Sequence, residues 1–415
     1  MHAIVVSTQK HLFNLNNRII MDELREIISN IANREAARLA QADELSVGLL
    51  AGDMGSVLFL YEYSQIGESY RSTAEDLLEK VLDSLRSRPH LPTYCGGVAG
   101  MGIGLGLLGK NGFIDIQSDV MRPVDMHLSV AQSAMLSRNQ HDFLHGFIGL
   151  GFYWLMRHRQ GDATYCVPQL NAMLDHLLSS CDNDNGVVRW PLPAGKLTRP
   201  YNISISHGCS STIILLCEML WQGVLPERHS EITGLIRGAV GYILKNRLDP
   251  EHFGCWFAST SLDCDTPRRS RLAWCYGDLG VAVALNRAAE VLDDATAGQL
   301  SLQVLEYSAK HRRDLIQNQV HDACVCHGAA GVGLVMREMS KRLRSTALGD
   351  AADYWRGIVT DMAVKDATGA VFPYFDVTDR RHTDRRSILE GDTGVAMYLL
   401  GETAGSSLAE IMLLT

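Results

Sequence analysis

Two kinds of apolar segment alternate along the chain. In the first, apolar residues recur every three or four positions: Leu77, Leu78, Val81, Leu82 and Leu85, then Leu170, Met173, Leu174, Leu177 and Leu178, then Ile232, Leu235, Ile236, Ala239, Val240 and Ile243. That period predicts helices with one buried face. Ser72-Thr-Ala-Glu75 has the spacing of a capping box and predicts the start of the first of them. In the second kind, apolar and small residues run nearly unbroken, as in 94–109, YCGGVAGMGIGLGLLG. A helix that is apolar all round belongs in an interior. This run is too short to span a membrane, and no other comes closer.

The unbroken segments open on G-x-x-G or a close variant. The seven copies are Gly52-Asp-Met-Gly55, Gly97-Val-Ala-Gly100, Gly146-Phe-Ile-Gly149, Gly208-Cys-Ser-Ser211, Gly277-Asp-Leu-Gly280, Gly328-Ala-Ala-Gly331 and Gly391-Asp-Thr-Gly394. Their first glycines lie 45, 49, 62, 69, 51 and 63 residues apart. One such motif carries no information, but seven at quasi-regular spacing mark a helix-hairpin repeat with inserts. Each unit reads as one buried helix and one amphipathic outer helix. Seven pairs predict an all-α fold: a closed α/α barrel, or toroid, with the buried helices as its inner wall. Three inserts, 186–195, 253–262 and 369–378, combine Gly, aromatic and β-forming residues. They predict short strands or extended loops at one mouth of the ring, and 260–270 is expected to be a mobile loop. No polar linker divides the chain, so a single domain over 1–415 is expected, with segment 1–40 partly outside the repeats.

Composition narrows the function. The 415 residues are 46% hydrophobic and 20% charged, an ordinary globular mix able to bury a large core. A net charge of −9 argues against a nucleic-acid binder. The start, MHAIVVSTQKHLFNLNNR, has polar and basic residues where a secretory signal would be continuously apolar. Ten cysteines in a chain of this size are then expected to be reduced thiols in the cytoplasm, free for metal or redox chemistry.

The chemistry falls in the repeat register. The two residues before each first glycine are Leu50-Ala51, Cys95-Gly96, Leu144-His145, Ser206-His207, Cys275-Tyr276, Cys326-His327 and Leu389-Glu390. In a closed ring, equivalent positions of neighbouring units face one another. Cys275, Cys326, His327 and His207 should therefore converge at one end of the central cavity. Two cysteines and one histidine suit zinc, and three protein ligands with an open position are the catalytic pattern. A helix N-terminus also favours thiolate. Cys324 competes as a ligand but falls outside the register. Cys95 is in register but far round the ring, and reads as core. His145 reads as a hydrogen-bonded core or cavity residue, and Glu390 as a charge at the cavity rim.

Trp274-Cys275-Tyr276-Gly277, Cys326-His327-Gly328 and Ser206-His207-Gly208 together resemble the signature motifs of the lanthionine synthetase C-like family, the lanthipeptide cyclases. The resemblance extends over the whole chain and implies the seven-unit α/α barrel. It implies one zinc ion per chain, held by Cys275, Cys326 and His327. It implies acid–base roles for His207 and for Asp142, which matches the family's Asp-x-x-x-Gly with Gly146. Arg271 and Tyr276 match further active-site positions. Ser211 departs from the pattern, because the family has a second glycine there.

The implied activity is a zinc-dependent addition of precursor-peptide Cys thiols to dehydroalanine or dehydrobutyrine, forming lanthionine and methyllanthionine rings in lanthipeptide biosynthesis. The implied partners are a dehydrated precursor peptide with its leader, a separate dehydratase and a membrane exporter. The location would be cytoplasmic, peripheral at the membrane in such a complex, with no integral membrane segment. Two alternatives share the zinc motifs: a relative that binds or adds glutathione, and a non-catalytic peptide-binding relative. A protein prenyltransferase subunit fits less well, because Cys-His-Gly is not its signature. An α/α-barrel glycosidase needs two opposed carboxylates, and no such pair stands out.

Overall fold

The computed structural model describes residues 2–67, 70–116, 118–192, 201–259, 268–366 and 369–415. The helices follow one another as inner and outer members of a ring. A long helix α1 (His2–Gln41) precedes inner helix α2 (Asp53–Tyr63) and outer helix α3 (Tyr70–Ser87). Inner α4 (Val98–Lys110), outer α5 (Arg122–Ser137), inner α6 (Phe147–Arg159) and outer α7 (Ala163–Ser180) come next. Inner α8 (Cys209–Trp221) and outer α9 (His229–Lys245) lead to a single-turn α10 (Pro250–Phe253). The chain continues with inner α11 (Asp278–Leu292), outer α12 (Ala295–His311), inner α13 (Ala329–Leu343) and outer α14 (Thr346–Asp361). Inner α15 (Asp392–Thr403) and short α16 (Leu408–Ile411) complete it.

Each inner helix packs on the next, and α15 packs back on α2, so the seven inner helices close a ring. Helix α1 fills a place beside it, lying against α15 and α2 as the outer partner of the seventh inner helix. The inner helices are buried nearly all round, as in α4, where every residue from Val98 to Leu108 is buried. The outer helices bury one stripe, such as Ala74, Leu77, Leu78 and Val81 of α3. Helix α3 is already under way at Tyr70, so Ser72 lies inside its first turn and is not its cap.

The glycine motif has a steric cause. Before six of the seven inner helices, α11 excepted, the chain doubles back so that the first helical N–H reaches a carbonyl seven residues earlier, as Val98 does to Leu91 at 2.8 Å. The backbone then passes too close for side chains. A Cβ on Gly97 would overlap the Leu91 carbonyl, and one on Gly100 would overlap the Tyr94 carbonyl. Ser211 occupies the second position in the fourth unit. It is fully buried and its hydroxyl donates to the Gly208 carbonyl at 3.0 Å, so the departure is accommodated.

The turns before the inner helices form a belt. The N–H of Leu50 donates to Cys95, Cys95 to Leu144, Ser206 to Cys275, Cys275 to Cys326, Cys326 to Leu389, and Leu389 to Leu50, at 2.8–3.4 Å. These are the residues two before each first glycine. The residue after each belt position is solvent-accessible, while the belt residue and the glycine on either side are buried, in all seven units. Ala51, Gly96, His145, His207, Tyr276, His327 and Glu390 therefore form a rim at one end of the lumen. At the other end, α16 and residues 412–414 are buried inside the ring. The Tyr94 hydroxyl donates to the Ile411 carbonyl at 3.0 Å, and the Trp274 indole donates to Met412 at 2.9 Å.

The inserts form short antiparallel pieces. Strands β1 (Asp182–Asp184) and β2 (Val187–Arg189) pair, as do β3 (Val364–Asp366) with β4 (Gly369–Val371), and β5 (Tyr374–Asp376) with β6 (Arg381–Thr383). Phe257 makes an isolated bridge with Arg247. Carboxylates at the inner-helix N-termini pin these pieces: Asp278 accepts the Trp256 and Phe257 N–H groups, and Asp392 accepts that of Phe372. The parts of the expected inserts and mobile loop at 193–195 and 260–267 lie outside the described residues.

Candidate metal centre

Cys275 stands two residues before Gly277, and Cys326 and His327 stand just before Gly328. Their helices α11 and α13 are neighbours in the ring. The belt bond from Cys275 N–H to the Cys326 carbonyl, 3.3 Å, sets the two turns side by side. The two sulfurs and a His327 ring nitrogen all lie within 4.8 Å of one another. The Cys326 thiol donates to the Cys275 sulfur. That bond, with His327 and the charge of Arg271, holds Cys275 well below the ordinary thiol range against its burial. The same contact, with burial, pushes Cys326 up. Two sulfurs and an imidazole converging on one point, one sulfur already biased to thiolate, are a donor set that suits zinc.

A second group, Asp322, Cys324 and His327, shares the histidine. It fits a metal less well. Both Asp322 oxygens are already engaged, accepting the N–H of Cys324 at 3.0 Å and that of Phe375 at 2.8 Å. Cys324 is pushed far above the ordinary thiol range, first by burial and then by the Asp322 charge.

Round the rim from Cys275 lies a carboxylate–imidazole pair. His207 Nδ1 and Asp142 Oδ2 are 2.7 Å apart. This contact joins units three and four, the one step at which the described residues show no belt bond. The other Asp142 oxygen accepts the His145 N–H at 2.7 Å, and Ser204 Oγ accepts the His207 N–H at 3.1 Å. Burial pushes the imidazole down, but the hydrogen bond and charge of Asp142, with the charge of Cys275, outweigh it, and the net shift is upward. The His207 ring lies 5.8 Å from that of Tyr276 and 6.1 Å from that of His145. Burial and the charges of Cys275, Asp142 and Cys326 push the Tyr276 hydroxyl up to about 12, so it stays protonated and able to donate. Arg271 is half-buried and acts electrostatically on both Cys275 and His327. Cys95 is buried, as expected for a core position.

The sequence model of the lanthionine synthetase C-like protein family matches residues 43–413. The chain belongs to that family. Among solved structures, nisin cyclase superposes with a TM-score of 0.73, covering 96% of this chain and 98% of that chain at 15% identity. At that identity the likeness speaks for the fold. No curated protein matches the chain. No helix among the described residues is long and apolar enough to cross a membrane.

In this lanthionine synthetase C-like protein, two features of the site escaped the sequence reading. Tyr374 of β5 lies against His327, with ring centroids 5.7 Å apart, and its hydroxyl points at Glu390 Oε1 at 3.4 Å. Asn202 and Ser204 support the His207 turn, Asn202 Oδ1 accepting the Ser204 N–H at 2.8 Å. Cavity size does not mark the chemistry. Open cavities of about 530 and 840 Å³ lie at the opposite end of the ring, lined by Lys110, Arg159, Glu410 and neighbours. Those cationic groups are largely paired with acids, such as Lys110 with Glu410 at 2.6 Å. The convergent donors are at the rim instead.

Proposed function

We propose that this protein is a lanthipeptide cyclase. It adds a peptide cysteine thiol to a dehydroalanine or dehydrobutyrine of the same precursor. The observation that carries this reading is the juxtaposition of the Cys275–Cys326–His327 donors with the Asp142–His207 pair on one rim. The addition is redox-neutral: a sulfur–Cβ bond forms, the alkene π bond breaks, and the thiol proton is replaced by a new proton at Cα. Cys275, Cys326 and His327 would hold zinc, which when bound supplies a thiolate where a free thiol of pKa about 8.5 would be only a few per cent ionised. That ionisation is worth about 2 kcal/mol at neutral pH. Orientation of the two reacting groups contributes more, about 7–11 kcal/mol.

The chain's own residues handle the proton. Asp142 accepts a hydrogen bond from His207 Nδ1–H, so the protonated ring presents its Nε2–H as the proton donor for Cα. The upward shift of His207 favours the protonated, donating ring. The Tyr276 hydroxyl, beside His207, and the positive charge of Arg271, acting on Cys275, are the groups assigned to the negative charge that develops on the carbonyl oxygen. The partners are a dehydrated precursor peptide, a dehydratase and an exporter.

The test is zinc content and loss of free thiol on a dehydrated cysteine-containing peptide, for wild type beside Cys275→Ala and His207→Ala. We expect one zinc per chain and thiol loss in wild type. Cys275→Ala should lose both, and His207→Ala should keep zinc while slowing thiol loss about 100-fold or more. Absence of zinc from unchelated protein sinks the mechanism. Zinc without thiol loss moves the protein to a glutathione-handling or binding relative.

A further inference from the structure

The seven rim positions are unequal. Going round the ring, His145, His207, Tyr276, His327 and Glu390 carry functional groups, and the next two, Ala51 and Gly96, carry almost nothing. Belt bonds fix their places: Leu389, before Glu390, donates to Leu50, before Ala51, and both Leu50 and Ala51 donate to Cys95, before Gly96. The gap between Glu390 and His145 is therefore an open bay. Packing does not require it. A Cβ on Gly97 would overlap its neighbours, but a Cβ on Gly96 would meet only the Ala51 carbonyl, at 3.9 Å. Ala51 is exposed, while Gly52 beside it is buried.

Glu390 forms one wall of the bay. Its carboxylate is steadied but not saturated. The Tyr374 hydroxyl stands 3.4 Å from one oxygen, and the Arg385 guanidinium 3.6 Å from the other. Both exceed the ordinary length of a charge-assisted hydrogen bond. The side chain is 30% exposed, and its charge reaches Cys326 on one side and Cys95, under the bay, on the other. A carboxylate with unspent acceptor capacity beside an open bay fits an N–H donor. A peptide backbone supplies one at every residue except proline.

We propose that Glu390 is a substrate-positioning residue, accepting a backbone N–H of a peptide laid through the bay at Ala51 and Gly96, so that its thiol reaches the Cys275–Cys326–His327 cluster. This rests on the cyclase reading above and deepens it: the substrate class is a peptide read through its backbone beside the reacting cysteine.

The test compares Glu390→Ala, Glu390→Gln and Gly96→Leu with wild type. One probe is a synthetic peptide holding one dehydroalanine and one cysteine. The other is a small pair, N-acetyldehydroalanine methyl ester with a simple alkyl thiol. Peptide binding is read by fluorescence anisotropy, alongside zinc content and melting temperature. We expect Glu390→Ala and Gly96→Leu to weaken peptide binding and raise KM about ten-fold, with zinc, melting and the small-pair rate unchanged. Glu390→Gln, which keeps an acceptor, should recover part of the loss. In Glu390→Ala, N-methylating the one contacted amide beside the cysteine should cost nothing further. Unchanged peptide binding in both Glu390→Ala and Gly96→Leu overturns the proposal. So does equal slowing of the small pair, because the residues would then act on the chemistry. If wild type consumes no thiol at all, the cyclase reading fails, while anisotropy still decides whether Glu390 and the bay hold a peptide. Should Glu390→Ala misfold, Glu390→Met, of similar size but without the carboxylate acceptor, carries the same comparison.

Discussion

At the scale of single residues, His207 is set by two opposed forces, burial pushing its pKa down and Asp142 pulling it up, with Asp142 and Cys275 prevailing. If His207 delivers the proton, the rate falls as pH rises through its raised pKa, because only the protonated ring donates. Asp142→Asn removes the charge and leaves the burial. The pKa then drops and the alkaline limb of kcat/KM moves to lower pH, with a loss of about 10–100-fold at neutral pH. A limb that stays put in that variant would remove Asp142 from the proton chemistry. The cysteines are separable too. Cys324→Ala should keep zinc and Cys326→Ala should lose it, because Cys324 is held as a neutral thiol beside a fully engaged Asp322. Metal analysis of the two proteins decides, and loss in Cys324→Ala would reassign the ligand. The convergence of Cys275, Cys326 and His327 is legible in the sequence because all three keep the repeat register. Tyr374 is not legible, because it comes from an insert that has no register to place it.

Elements were readable where sterics force a residue type. Close backbone approach before each inner helix excludes Cβ atoms, so glycine marks every inner-helix start, and the buried helices read as nearly unbroken apolar runs. Caps were less readable: Ser72-Thr-Ala-Glu75 has the right spacing, yet the turn it was expected to open starts earlier, at Tyr70. Among the seven first glycines, Gly277 alone has a positive φ, +81° with ψ −148°, a region nearly closed to other residues. A Cβ there would also stand 2.5 Å from Ser270 Oγ. Gly277→Ala should therefore cost strain of about 1–3 kcal/mol plus crowding, and should weaken zinc binding, since Cys275 is two residues away. Gly112→Ala is the control. Gly112 also has a positive φ, +73°, but its Cβ would meet nothing within 4 Å. It should cost about 1 kcal/mol and leave zinc untouched. Thermal melts with a chelator competition read both effects. Equal behaviour of the two variants would mean that the turn at Gly277 does not hold the metal site.

Across the whole molecule, a ring needs a seam, and the seam was hidden from the sequence. Helix α1 has no glycine motif, and its place depends on where the last unit ends up, not on its own pattern. In the structure its Glu35, 1% exposed, accepts the Ser56 hydroxyl of α2 at 2.8 Å, and Ser56 in turn meets Thr393 of α15 at 3.1 Å. Arg38 bonds Glu35 at 2.8 Å and Asp53 at 3.0 Å. This buried network, with the belt bond from Leu389 to Leu50, stitches the first inner helix to the last. Glu35→Ala leaves the Ser56–Thr393 pair without its acceptor. Water reaches Arg38 and recovers part of the loss, so the expected cost is about 1–3 kcal/mol. Because the seam lies one belt step from the Cys326–His327 turn, two outcomes differ sharply. If the ring unfolds as one unit, the midpoint of denaturant unfolding shifts, the slope is unchanged, and zinc release coincides with loss of helix. If α1 detaches on its own, protease cuts it before zinc is released, and the transition splits. The continuity of the belt through Leu50, Leu389 and Cys326 favours the first, since opening the seam breaks a bond one belt step from Cys326, a proposed zinc ligand.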